Sequence, residues 1–114
     1  MASLCLLAEN GATAERWELG ERPLAIGRDE DADIVIDDDT LSRRHFVITR
    51  EAGSYVLKDL GSQNGTWVDG RPTKATPLHH HDCILAGRTL FMFNDATAPA
   101  GAQSQPQAGS PIRS

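Results

Sequence analysis

The sequence predicts an all-β fold, a sandwich or a barrel, on three observations. Short apolar runs recur along the chain, some with two-residue alternation, as where Phe46 and Ile48 alternate with Val47 and Thr49. Turn-forming pairs punctuate them: Asn10-Gly11, Ala52-Gly53, Asn64-Gly65, Asp69-Gly70 and Gly87-Arg88. No window of helical length keeps an apolar stripe at the 3.6-residue period. Ten glycines and six prolines in 114 residues suit a strand-and-turn chain, and that length holds one small domain rather than two independent cores.

In order, Leu4 to Ala8 and Arg16 to Leu19 read as strands joined by the Asn10-Gly11 turn. Leu24 to Ile26 is a third, entered at Pro23 and ended at Gly27-Arg28. Ile34-Val35-Ile36 is a continuous apolar triplet between acidic flanks, which predicts a short strand buried on both faces. The strand from Phe46 follows, then Tyr55 to Leu60, Thr66 to Val68, Cys83 to Ala86 and Thr89 to Phe93. Residues 1–96 thus form the expected domain. Residues 97–114 change to Ala, Gly, Gln, Ser and Pro, with Ile112 the one large apolar side chain. Such a segment buries too little surface to offset its ordering entropy and is expected to be a flexible tail or linker.

The formal charge of −5 is unevenly spread: residues 29–39 hold seven acids and no base, leaving 11 bases against 9 acids elsewhere. A general nucleic-acid binder needs a broad basic footprint, so that class is not expected, whereas a small local anion site is compatible. The Leu4–Ala8 run is too short, and lacks the positive flank, for a signal peptide or membrane span. Cys5 and Cys83 show no local pairing pattern and read as two free thiols. A cytoplasmic protein without membrane association is the expectation.

Three loops carry residues suited to chemistry. Gly27-Arg28 ends a strand. Ser42-Arg43-Arg44-His45 places a hydroxyl and two guanidiniums where a loop becomes a strand, a receptor for a doubly charged oxyanion. Gly61 to Thr66 is rich in small polar residues that favour tight turns. Taken singly, each has a plainer reading. The arginines could be solvated surface charges, Ser42 a turn cap, Asn64-Gly65 an ordinary hairpin turn and His45 a packed residue.

Taken together, Gly27-Arg28, Ser42-x-x-His45 and Asn64-Gly65-Thr66, at these separations, resemble the signature of the forkhead-associated (FHA) domain. The match includes Asp59-Leu60-Gly61-Ser62, Asp69-Gly70 and Asp82 to Gly87, and covers roughly residues 3 to 95. The resemblance implies a two-sheet β-sandwich whose loops at one end bind a phosphothreonine-containing protein or peptide. It implies that Arg28 grips the phosphate with its planar fork, that Ser42 donates its hydroxyl, and that Arg43 adds charge. Asn64 would hold the peptide main chain after the phosphothreonine, with Gln63 beside it. Gly27, His45, Gly65 and Thr66 would support the loops. The acids just before this loop, Asp37 to Asp39, lead us to expect basic or apolar neighbours in the bound peptide. The same fold used for phospho-independent interaction or oligomerisation is the alternative.

Competing signals are weaker. Asp29-x-Asp31-x-Asp33 copies the opening of a calcium loop, but the sixth position is Ile34 and the twelfth Thr40, where glycine and glutamate are needed. His79, His81 and Cys83 alternate along an extended face, yet lack a fourth zinc ligand and a recognisable spacing. His81 also stands where the family often has glycine. No nucleophile elbow, phosphate-binding glycine loop or supported carboxylate pair is present. Neither an enzyme nor a metal or other cofactor is expected.

Overall fold

The computed structural model describes residues 2–95, built from β-strands with no helix. The strands are β1 (Ala2–Leu7), β2 (Thr13–Leu19), β3 (Leu24–Gly27), β4 (Ile34–Val35), β5 (Phe46–Glu51) and β6 (Ser54–Asp59). They continue with β7 (Thr66–Val68), β8 (Arg71–Pro72), β9 (Ala75–Pro77), β10 (Cys83–Ala86) and β11 (Thr89–Asp95). They form a six-stranded sheet in the order β2-β1-β11-β10-β7-β8 and a five-stranded sheet in the order β4-β3-β5-β6-β9. The fold is a two-sheet sandwich. The expected tail, residues 97–114, lies outside the described residues.

Alternation decides which side chains fill the space between the sheets. Leu4, Ile84, Ala86, Phe91 and Phe93 of one sheet face Ile26, Phe46, Ile48, Tyr55 and Leu57 of the other, all buried. Phe46 and Phe91 meet edge to face with ring centres 5.6 Å apart, so the core is locked across its middle by an aromatic pair. The Tyr55 hydroxyl donates to the Leu19 carbonyl at 3.2 Å, which satisfies the one polar atom that this ring brings into the interior.

Three local expectations change. Ile34-Val35 is an edge strand paired in parallel with β3, and Val35 is 51% exposed; the apolar triplet is not buried on both faces. Asn64-Gly65 closes no hairpin, because β6 and β7 lie in different sheets and the loop crosses between them. Strands β8 and β9 are additional, short pieces containing Pro72 and Pro77 at sheet edges, where a missing N–H is tolerated. The two cysteines are free thiols. His81 has φ +71°, the left-handed region that glycine enters without penalty; for a residue with a Cβ that costs roughly 1–2 kcal/mol. Its ring stacks on His80 with centres 3.7 Å apart.

The ends of β3, β6 and β10 and the starts of β5, β7 and β11 all lie at one end of the sandwich, so the loops between them share one edge. Every loop singled out for chemistry is there.

Candidate functional site

Backbone contacts first bind the loops to one another. The N–H of Arg28 donates to the Ser42 carbonyl and that of Asp29 to the Arg43 carbonyl, each at 3.1 Å. This close approach needs Gly27: a Cβ there would overlap the Arg43 carbonyl oxygen and stand 2.9 Å from Arg44 Cα. The Arg28 side chain is exposed, and its Nε donates to the Leu41 carbonyl at 3.0 Å, which orients the guanidinium along the Ser42 loop. Arg28 and Arg43 line one shallow depression of about 500 Å³ with Asp29, Glu30 and Val35. Among the described residues neither arginine forms an ion pair.

His45 is fully buried and joins two loops through its ring. Nδ1 accepts from the Ser42 N–H at 3.1 Å, which leaves Nε2 protonated to donate to the Gly65 carbonyl at 2.8 Å. Gly65, at φ +85°, turns the chain so that this carbonyl points inward. The Ser42 hydroxyl accepts from the Gln63 N–H at 3.0 Å, so its own hydrogen remains to donate elsewhere. Gln63 and Asn64 are exposed; the Asn64 amide nitrogen donates to the Thr40 carbonyl at 2.6 Å. Arg28, Ser42, Arg43, Gln63 and Asn64 therefore stand on one rim, with Gly27, His45, Gly65 and Thr66 beneath it.

Two carboxylates, Asp59 and Asp38, hold this rim. Asp59 accepts the N–H groups of Gly61 and Ser62, each at 2.8 Å, and the hydroxyls of Ser62 and Thr66. Burial pushes its carboxyl up, but these hydrogen bonds outweigh that and keep it below its ordinary value. The spacing Asp59-x-Gly61-Ser62 is the signal for such a side-chain turn, and it points to Asp59 as a loop organiser.

Asp38 does the same between the Ser42 loop and the β10–β11 turn, taking the Thr40 N–H and hydroxyl, the Arg88 N–H and the Thr89 hydroxyl. Here too burial raises and the hydrogen bonds prevail, lowering the pKa from 3.8 to about 2. The run 29–39 is thus not wholly a solvated loop, since Asp33 also accepts the Ala25 N–H at 2.8 Å. A group whose folded pKa is depressed stabilises above its unfolded value and loses that contribution as pH falls through the folded one. The melting-temperature gap between the native chain and Asp38→Asn is therefore expected to be full at pH 5–7 and to close between about pH 4 and 2. A gap independent of pH would remove the charge from this account.

Comparisons with known proteins give the family of this fold. The model of the FHA domain matches residues 24–87, the span from β3 to the end of the β10 strand and its turn. The chain belongs to the FHA domain family. An oxoglutarate dehydrogenase inhibitor from Corynebacterium jeikeium is 35% identical over 86% of this chain and 69% of its own length. The glycogen accumulation regulator GarA of Mycolicibacterium smegmatis is 35% identical over 80% of this chain, which spans 58% of that relative. An FHA structure solved in an analysis of phosphothreonine-dependent FHA domain interactions superposes with a TM-score of 0.75 at 31% identity. It covers 82% of this chain and 95% of the solved one. Of the two curated relatives, one is named as an inhibitor and the other as a regulator. Among the described residues no helix is long and apolar enough to cross a membrane, and no three His, Cys, Asp or Glu side chains are grouped to hold a metal.

Proposed function

We propose that this FHA domain is a non-catalytic, cytoplasmic module that binds phosphothreonine-containing proteins through the rim built by Arg28, Ser42, Arg43, Gln63 and Asn64. The reading is carried by one observation: two exposed guanidiniums, without an ion pair among the described residues, stand on the same loops as a hydroxyl that accepts from Gln63 and keeps its hydrogen to donate, and His45 fastens those loops. A phosphothreonine brings about −1.5 to −2 charges and three acceptor oxygens, which match such donors. Arg28 takes the phosphate with its remaining N–H groups, Ser42 donates to a second oxygen, and Arg43 adds field. Asn64 and Gln63 meet the peptide main chain. The phosphothreonine dependence reported for a structural neighbour supports the same role here.

Charge-assisted hydrogen bonds contribute roughly 1.5–3 kcal/mol each, and a few of them, less the ordering of a peptide, place the affinity near micromolar, about −8 kcal/mol. Titration of a phosphothreonine peptide library by fluorescence anisotropy tests this. Arg28→Ala is expected to weaken binding by roughly 10- to 150-fold, the loss of one such bond. Binding that ignores the phosphate, or that survives Arg28→Ala unchanged, would make the domain a phospho-independent interaction surface instead.

A further inference from the structure

The outward face of the six-stranded sheet carries an apolar row beside the phosphate loops. Val68, Ile84, Ala86 and Phe91 point into the core, so their neighbours Trp67, Leu85 and Leu90 point out. Register aligns these three across the strands: Leu85 lies opposite Trp67 on β7 and opposite Leu90 on β11. Leu85 and Leu90, 38% and 39% exposed, are two of the four large apolar side chains left in solvent among the described residues, and they stand next to each other. With Trp67 they line a depression of about 410 Å³ bounded by Asn64, Gly70, Cys83 and Gly87, with no charged side chain in its wall.

One of those boundary residues, Asn64, belongs to the phosphate rim, and a second, Gly87, rests on the same Thr40 that Asn64 holds. Asn64 donates to Thr40, and Gly87 packs so closely on Thr40 that a Cβ there would overlap its hydroxyl. The groove therefore begins where the rim ends. We propose that it docks two large apolar side chains of the same phosphothreonine-bearing partner, on the C-terminal side and beyond the residues next to the phosphothreonine. This inference rests on the phosphothreonine reading.

Continuity names the occupant: a chain leaving Asn64 in that direction has this row as its next surface. The chemistry fits, since an uncharged, aromatic-anchored depression rewards apolar side chains and gives a charged one no partner. The row spans two strand spacings, about 10 Å, and an extended peptide projects residues i and i+2 to one face about 7 Å apart. A Leu-x-Phe pair in an extended segment is therefore the matching element.

The test uses synthetic phosphothreonine peptides of Ala, Gly and Ser, carrying Leu-x-Phe at each register from the fourth to the tenth downstream residue. Each is titrated against the native chain and against Leu85→Ser/Leu90→Ser. One register is expected to bind about tenfold or more tightly than the Ala-only parent, a gain in line with burying apolar side chains. That gain should vanish in the double variant while the parent affinity stays native, which also reports that the variant is folded. If no register exceeds the parent, or if the gain survives the double substitution, the groove assignment falls and phosphate recognition stands. Affinities unchanged on removing the phosphate from the parent overturn the phosphothreonine reading and this inference with it.

Discussion

Gly27→Ala is expected to lower the stability of the domain by about 3 kcal/mol or more, at the upper end of what overpacking costs. In a domain of this size that moves the melting temperature down by more than about 10 °C. The added methyl has no free direction, because the atoms it meets are backbone: the Arg43 carbonyl group and Arg44 Cα. Relief requires the Ser42 loop to move off β3, and that breaks the bonds from the Arg28 and Asp29 amides. The same displacement carries Ser42 away from Arg28, so phosphopeptide binding should be lost even well below the melting temperature. Gly20→Ala is the control, since nothing lies within 4 Å of a Cβ there. Equal melting temperatures for the two variants would show that the close approach of β3 and the Ser42 loop is not needed.

His45→Phe is the second large effect. A planar aromatic ring, somewhat larger than imidazole, still stands edge-on to Phe46, but both nitrogen functions disappear. The Ser42 N–H and the Gly65 carbonyl, both half-buried, then lose their partner and face an apolar ring. Each unsatisfied group costs roughly 1–3 kcal/mol, so a total of about 2–6 kcal/mol is expected in chemical denaturation. Hydrogen exchange supplies the specific readout: the Ser42 amide should lose protection while the β1 and β11 amides keep theirs relative to global stability. A Ser42 amide that stays protected would mean that another group has replaced the imidazole as acceptor.

These two positions also show what the chain discloses before it is folded. Period-two runs disclosed the long strands because each buries one face against the other sheet. The same logic misjudged Ile34-Val35-Ile36, whose apolar character comes from packing at an edge, where one residue in the middle faces out. It missed β8 and β9 because two- or three-residue strands with prolines have no period to detect. Among the site residues, Arg28, Ser42 and Asn64 could be singled out by type and order. The clasp of Asp38 on Arg88 and Thr89 could not, since its partners lie 50 and 51 residues away and an aspartate in an acidic run carries no mark of inward orientation. Asp59 was legible in principle, because its partners are local. For the peptide flank, Asp38 keeps its charge but is turned into its own loop, so of the three acids Asp37 to Asp39 the exposed Asp37 and Asp39 are the ones placed to meet an acidic neighbour directly.

The pairing of β1 with β11 places Ala2 opposite Asp95. Strand β11 starts beside Arg88, which is tied to Asp38 and Thr40 on the recognition side, and runs seven residues to Asp95. At about 3.4 Å per residue that is about 20 Å of separation. The points where the polypeptide enters and leaves the sandwich are therefore neighbours, on the pole away from the loops. Such wiring makes the domain a natural insert: a host chain could be opened at one surface turn and the sandwich spliced in without spreading the cut ends or covering the recognition pole. It would also allow Ala2 and Asp95 to be joined by a short linker and new termini cut at Ala52-Gly53, on the same remote pole, with the recognition loops left intact.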